Sequence, residues 1–234
     1  MKRANKQSDN RKNWLIVTVF FGSMFAILIS TFIVRQLRRF HIEDHWNDEV
    51  IAVTSLQGEE RNSYSLSEFG YYILVMERDI QQTANIYDSE DPTSYWNIYI
   101  GDEQQGNAYV RVLSKQYAIN FAKRDLLYEL QMKKEGFSVT EEKKQEIEAK
   151  ISELKSCFTN EQFQRVGMSQ ESFEEMARRV ENIQAYMTEL TIRGIAVENL
   201  ETDGTYYEEL LASYEISENN EIFSQLVFGS ISVN

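Results

Sequence analysis

An uncharged run of 21 residues, 14–34, constrains this chain of 234 residues more than any other sequence feature. A bilayer core is about 30 Å thick, and a helix needs roughly 20 apolar residues to cross it. The apolar core of a cleavable secretory signal is shorter, at about 7–15 residues, and a cleavage site with small residues follows it. No such site follows Val34. The run therefore predicts a transmembrane helix that acts as an uncleaved signal anchor.

Basic residues flank the predicted span unevenly, with five before it and three after it. Cytoplasmic flanks of membrane helices carry an excess of lysine and arginine. We therefore predict a basic cytoplasmic tail over residues 1–13 and an extracytoplasmic location for the bulk of the chain. The protein is then a single-pass protein of the cell membrane. The basic residues are Lys2, Arg3, Lys6, Arg11 and Lys12 before the span, and Arg35, Arg38 and Arg39 after it.

The part of the chain that follows the span is strongly acidic. Residues 40–234 contain 36 Asp and Glu against 16 Lys and Arg, which gives a net charge of −20. Such a surface repels phosphate groups, so we expect no nucleic acid partner and no attachment to an anionic lipid surface. The same charge favours basic polypeptides as partners.

Cys157 is the single cysteine of the chain, so no intrachain disulfide is possible. No cysteine stands directly after the apolar run, which argues against an anchor made by a lipid-modified cysteine. We expect Cys157 to be a small buried side chain beside Phe158, because free cysteines are usually buried.

Residues with catalytic or metal-binding potential are few. The two histidines, His41 and His45, lie close to the predicted span in the sequence HIEDH. Zinc protease patterns require Glu directly after the first histidine or directly before the second, and Ile42 and Asp44 stand there instead. No glycine-rich phosphate loop is present, and the carboxylate pairs fit solvated helix surfaces. We therefore predict a protein that is not an enzyme, with no metal site and no cofactor.

A domain of long helices is predicted over residues 64–193, since the chain has one proline and ten glycines. Its longest helix covers about residues 107–135 and carries two apolar stripes, which is typical of a helix packed on more than one side. We predict this helix to be the centre of a mainly α-helical fold.

Helix boundaries within this domain follow from capping residues. Small polar side chains that accept hydrogen bonds at helix starts predict N-caps at Ser67, Thr140 and Ser169. Glycines tolerate the left-handed conformation at helix ends, which predicts ends at Gly136 and Gly194.

The segments on either side of the helical domain are predicted to contain short strands. Residues 35–63 form a polar juxtamembrane connector, in which the segment 50–56 alternates like a strand. Residues 194–234 are predicted to form a short helix over 204–216 and a strand over 220–233, where β-branched and aromatic residues concentrate. Pairing of the two strands would give a small β element beside the helices.

Aromatic and methionine side chains supply the candidate peptide-binding residues. One set lies in the predicted loop YWNIYI, and the other lies on a regular helical stripe over residues 173–190. Methionine side chains adapt to varied partners. Two interpretations stay open for both sets, namely ordinary hydrophobic core and a surface that binds unfolded peptides. The candidates are Tyr95, Trp96, Tyr99, Phe173, Met176 and Met187.

Three stretches occur in an order that resembles the N-terminal domain of the SurA/PrsA family of extracytoplasmic chaperones. They are SLSEFGYYI, the helix break KKEGFSVTEEKK, and GMSQESFEEMARRVENIQAYM. The resemblance covers residues 64–193, more than half of the chain. The matching positions are Glu68, Phe69, Tyr71, Tyr72, Gly136, Phe137, Val139, Thr140, Glu141, Glu142, Gly167, Ser169, Glu171, Phe173 and Tyr186.

The resemblance implies a helical, peptide-binding chaperone domain outside the cytoplasm. In the family a parvulin-type prolyl isomerase domain usually follows, and a lipid is often the anchor. This sequence departs from both patterns, because 40 residues follow Gly194 and contain no histidine. We therefore expect no complete isomerase domain in residues 194–234, whose predicted strand is either a remnant of one or part of the helical domain.

The sequence as a whole predicts a membrane-anchored, chaperone-like protein that binds unfolded or exported polypeptides without catalysis. The alternative is a structural or adaptor subunit, in which the same helical domain docks to one fixed partner in a membrane complex. The sequence leaves the oligomeric state open.

Overall fold

The computed structural model describes residues 41–102 and 106–233, and the predicted span over residues 14–34 lies outside them. Within these described residues, no helix combines the length and the apolar character needed to cross a bilayer. The fold is mainly helical with a small sheet, as predicted. The described residues from Ile42 onward form one compact unit, so residues 42–63 and the C-terminal segment share a core with the predicted helical domain.

The helices and strands are numbered here in chain order. The helices are α1 (Leu66–Tyr87), α2 (Val110–Lys134), α3 (Glu141–Ser156), α4 (Asn160–Arg165), α5 (Gln170–Ile192), α6 (Thr205–Leu211) and α7 (Asn220–Gln225). The strands are β1 (Glu49–Ser55), β2 (Arg61–Ser65), β3 (Tyr99–Asp102), β4 (Gly106–Tyr109) and β5 (Tyr214–Glu218). Short 3-10 helices cover Ile42–His45, Pro92–Asn97 and Val197–Leu200.

Most of the predicted helix boundaries are confirmed by local geometry. The side chains of Thr140 and Ser169 accept hydrogen bonds from backbone N–H groups of α3 and α5. Gly136 has φ of 65° and Gly194 has φ of 102°, the left-handed conformation that ends helices. The predicted N-cap of the first helix is wrong: Ser65 rather than Ser67 caps α1, because Glu68, three residues later, completes a capping box with Ser65.

The start of the long central helix differs from the prediction. It begins at Val110 rather than at residue 107, because Gly106–Tyr109 pairs with β3 as a hairpin. Cys157 is exposed rather than buried, because it follows the last turn of α3, while the neighbouring Phe158 packs against Phe163 and Phe173.

The main sheet has the strand order β2-β1-β5, with antiparallel pairing throughout. The central strand β1 is buried on both faces, through Val50, Ile51, Ala52 and Val53. The expected strand over residues 50–56 is therefore confirmed. The expected C-terminal strand over 220–233 is wrong, because Asn220–Gln225 forms α7 and the strand that pairs with β1 is Tyr214–Glu218.

The core forms where α2 packs against α1, α5 and the strands β1 and β2. The regular stripe of α5 is buried, and α5 packs against both α2 and α3. Ile147 and Ile151 are the buried residues of α3. The stripe residues, each at most 8% exposed, are Phe173, Met176, Val180, Ile183, Met187 and Leu190.

A charged cluster links β2, α1, α2 and α5 inside this core. The guanidinium group of Arg179 on α5 lies 4.5 Å from the ring centroid of Tyr64. It donates hydrogen bonds to Glu129, to Asn62 at 2.8 Å and to Glu68 at 3.2 Å. Asn62 in turn donates to Glu129 at 2.7 Å, so every side chain around the guanidinium group has a partner.

Candidate functional site: an exposed aromatic surface

Large exposed apolar side chains concentrate in one stretch of the described chain. Six of them lie between residues 86 and 112, and we call them, together with the half-buried Tyr95, the aromatic surface. Within this set Tyr99 contacts Tyr109 and Tyr87 contacts Tyr95, and clusters of exposed apolar side chains often mark binding sites. The six are Ile86, Tyr87, Tyr99, Ile100, Tyr109 and Val112.

The first element of the aromatic surface is the hairpin of β3 and β4. Tyr99 and Tyr109 are opposite each other across the hairpin, and their ring centroids are 5.4 Å apart. Their exposed fractions are 61% and 51%. Among the described residues, β3 and β4 pair only with each other, so each strand has an edge that no further strand covers. An edge of this kind presents backbone donors and acceptors to another extended chain.

The second element is the contact between Tyr87, at the end of α1, and Tyr95, in the 3-10 helix that follows. Their ring centroids are 5.3 Å apart. The chain between them makes a tight turn, in which a carboxylate oxygen of Asp88 accepts hydrogen bonds from the backbone N–H groups of Glu90 at 3.0 Å and Asp91 at 3.1 Å. The turn therefore fixes an acidic segment directly beside a tyrosine pair.

Trp96 anchors this region to the core rather than belonging to the exposed surface, since it is 1% exposed. Its indole Nε1 donates to Gln81 of α1 at 3.2 Å, and its backbone oxygen accepts from Arg111 of α2 at 3.3 Å. Gly229 of the C-terminal segment lies against the indole ring. The aromatic surface is thus held on a rigid base, which limits the entropy lost when a ligand binds.

Gly229→Ala is expected to lower the free energy of unfolding by roughly 3 kcal/mol, because overpacking and left-handed strain add. An added Cβ atom would lie 2.4 Å from Cδ2 of Trp96, and Gly229 has φ of +83°. Gly58→Ala is the control, since Gly58 has φ of +74° with no atom within 4 Å of an added Cβ. Its cost should be about 1 kcal/mol. Equal costs in urea denaturation would contradict the contact with Trp96.

The structure places the site residues predicted from the sequence in two separate regions, the aromatic surface with its base and the core around α5. Tyr95 and Tyr99 belong to the aromatic surface, and Trp96 supports it from below. Phe173, Met176 and Met187 lie in the core on α5, at 0%, 4% and 7% exposure, and the structure does not bring them to the surface beside the tyrosines.

Several residues of the aromatic surface were missed by sequence reasoning. Tyr87 looked like the last turn of a helix, and Tyr109 looked like the first turn of the next one. For Tyr109 the sequence signal is a pair of short aromatic and apolar runs, Tyr99-Ile100 and Ala108-Tyr109, on either side of Gly101 and Gly106. Two such runs separated by a loop that contains glycine are typical of a hairpin.

A separate cleft of about 540 Å³ lies between Tyr117 and Phe121 of α2 and the segment around Glu201. Glu201 already forms an ion pair with Arg124 at 2.7 Å. The guanidinium group of Arg124 also lies 5.1 Å from the ring centroid of Phe121. Arg124 therefore already binds one acidic and one aromatic group of this cleft, which makes the cleft a weaker candidate than the aromatic surface.

Within residues 41–102 and 106–233, no group of three or more His, Cys, Asp or Glu side chains is arranged to hold a metal ion.

Comparison with protein-family models, with curated proteins and with solved structures gave no match.

Proposed function

We propose that this chain is a membrane-anchored, non-catalytic, chaperone-like protein that binds unfolded or exported polypeptides outside the cytoplasm. The observation that carries the proposal is the pair of exposed tyrosine contacts, Tyr99 with Tyr109 and Tyr87 with Tyr95, held on the buried base of Trp96. The uncharged run over residues 14–34 supports the membrane anchor. The resemblance of residues 64–193 to the SurA/PrsA N-terminal domain supports the chaperone class.

The chemistry of the aromatic surface suits binding to many different sequences. Tyrosine side chains supply a large contact area and lose little conformational entropy on binding. The edges of β3 and β4, with which no further strand of the described residues pairs, offer hydrogen bonds to the backbone of an extended chain, and every polypeptide has that backbone. A ligand is then held by features that do not depend on one fixed sequence, as a chaperone requires.

The proposal is tested with the full-length chain in nanodiscs of uncharged lipid, by titration with several unrelated, fluorescently labelled unfolded proteins. The double variant Tyr99→Thr with Tyr109→Thr removes both rings of the hairpin but keeps residues that favour strands. We expect its affinity to fall at least about tenfold, since exposed aromatic anchors dominate binding energies of this kind.

The matched control is Ile192→Thr, which removes an apolar side chain that is 76% exposed at the end of α5. It should leave affinity within about twofold, and thermal unfolding should show that all variants are folded. Unchanged affinity of the double tyrosine variant would refute the aromatic surface as the binding site. If the wild type binds no unfolded protein but purifies with one membrane protein at fixed stoichiometry, the adaptor alternative replaces the chaperone proposal.

A further inference from the structure

All residues of the aromatic surface except Val112 lie within an acidic stretch of the sequence. From Asp79 to Val110 the sequence has six acidic residues and no lysine, arginine or histidine. The basic residues that border this stretch are engaged: Arg78 pairs with Asp79, and Arg111 donates to Asn97 and to the backbone oxygen of Trp96. The local charge is therefore negative without compensation from within the stretch.

The acidic turn between Tyr87 and Tyr95 places this charge next to tyrosine rings. Glu90 and Asp91 are exposed and Asp88 is half-buried. Among the ion pairs formed by the described residues, none involves Asp88, Glu90 or Asp91. A cation that reached this turn would meet carboxylates and aromatic faces together, and both attract it.

A partly buried site of the same protein already binds a cation between an aromatic ring and a carboxylate. Arg179 stacks on the ring of Tyr64 at 4.5 Å while its guanidinium group binds the carboxylate of Glu129. The turn between Tyr87 and Tyr95 also has tyrosine rings and carboxylates as neighbours along the chain, and no cation of the described residues forms an ion pair with Asp88, Glu90 or Asp91 there.

We infer that the aromatic surface selects extended polypeptide segments that combine aromatic residues with lysine or arginine, an inference that rests on the proposed function. Aromatic side chains of the segment pack against the tyrosines, its backbone pairs with the edge of the hairpin, and its cations bind the acidic turn. A second copy of this chain is disfavoured as the occupant, because residues 40–234 carry a net charge of −20 and would repel each other.

The test uses the full-length chain in nanodiscs of uncharged lipid and four peptides of equal length, titrated by fluorescence anisotropy. The peptides alternate arginine with tyrosine, glutamine with tyrosine, glutamate with tyrosine, and arginine with serine. At about 50 mM salt we expect the arginine–tyrosine peptide to bind at least about tenfold more tightly than the glutamine–tyrosine peptide, and the glutamate–tyrosine peptide to bind most weakly. The advantage should shrink at about 300 mM salt, because salt screens exposed charges.

The matched variants are Glu90→Lys in the acidic turn and Glu153→Lys on the exposed surface of α3, which change the net charge equally. Glu90→Lys should remove most of the preference for arginine–tyrosine over glutamine–tyrosine, and Glu153→Lys should keep it. Equal effects of the two variants would show a response to overall charge and overturn the inference.

The outcomes separate this inference from the proposed function. If the arginine–tyrosine and glutamine–tyrosine peptides bind equally well, and the double tyrosine variant weakens both, the selectivity is refuted while the function stands. If the arginine–serine peptide binds as tightly as the arginine–tyrosine peptide, charge alone explains binding and the inference fails. If no peptide binds to the folded wild type, both proposals fail together.

Discussion

Glu77→Gln is expected to lower the free energy of unfolding by roughly 4 kcal/mol, since hydrogen bonds to a buried charged group are worth about 1.5–3 kcal/mol each. Glu77 lies on α1 and is 0% exposed. Its carboxylate accepts from the backbone N–H groups of Gly229 and Ser232 and from the hydroxyl group of Ser232, each at 2.6 Å. Ile231 and Val233 donate from 3.3 Å and 3.2 Å.

Glutamine has the same size as glutamate but replaces one of the two accepting oxygens by an NH2 group. That group would face N–H donors of the C-terminal segment, and buried donors without an acceptor are costly. The C-terminal segment should therefore detach locally, beginning at Gly229, which also lies against Trp96 beneath the aromatic surface.

Urea denaturation of the full-length chain measures the loss, and hydrogen exchange at the amides of Gly229 and Ser232 localises it. The control is Glu153→Gln, an exposed helix position where the cost should stay within about 0.5 kcal/mol. A Glu77→Gln variant that unfolds like this control, with unchanged exchange at both amides, would show that the carboxylate does not hold the C-terminal segment.

Local signals were sufficient to predict α3 and α5, with their N-caps, from the sequence. Thr140 and Ser169 cap helices by contacts that span three residues, and the stripe of α5 repeats every three or four residues. Such information is contained in a short window. The C-terminal segment lacked such local information, because its β-branched composition favoured a strand, whereas Asn219 caps the helix α7. The residues after α7 are bound by Glu77, which is more than 150 positions away in the chain.

The aromatic surface was predicted only in part for a related reason. Tyr95, Trp96 and Tyr99 are neighbours in sequence, but burial separates the anchor Trp96 from the exposed Tyr99. Composition does not distinguish them, because Trp and Tyr suit both a core and a binding surface. Met176 and Met187 lie on a regular helical stripe that is buried in the core. Their helix, α5, packs against both α2 and α3.

Arg179→Met is expected to cost roughly 4 kcal/mol, because it removes from the buried carboxylate of Glu129 one of its two charged partners among the described residues. Arg179 binds Glu129, Asn62 and Glu68 and stacks on Tyr64. Methionine keeps most of the apolar contact of the arginine stem but none of its charge. Glu129, which is 6% exposed, would keep only Lys133 as a charged partner.

The cost of Arg179→Met should depend on pH in a defined direction. Burial by itself raises the pKa of Glu129, but Arg179, Lys133 and Asn62 outweigh burial and hold the pKa below its ordinary value of 4.5. A carboxylate whose pKa is lower in the folded state adds stability above about pH 4.5, and this stability is lost as the pH falls below that value. Without Arg179, Lys133 and Asn62 alone of these three groups oppose the effect of burial, so the variant should gain less of this stability.

The difference in unfolding free energy between wild type and Arg179→Met should therefore be larger at pH 7 than at pH 4, as measured by urea denaturation at both values. Arg178→Met is the matched control, since the neighbouring Arg178 pairs with Glu148 at the surface and its loss should cost less than about 1 kcal/mol. A pH-independent cost for Arg179→Met would mean that lost packing, rather than the uncompensated charge of Glu129, destabilises the fold. The site of Arg179 between Tyr64 and Glu129 would then give little support to the proposal that tyrosine rings and carboxylates on the aromatic surface bind guanidinium groups.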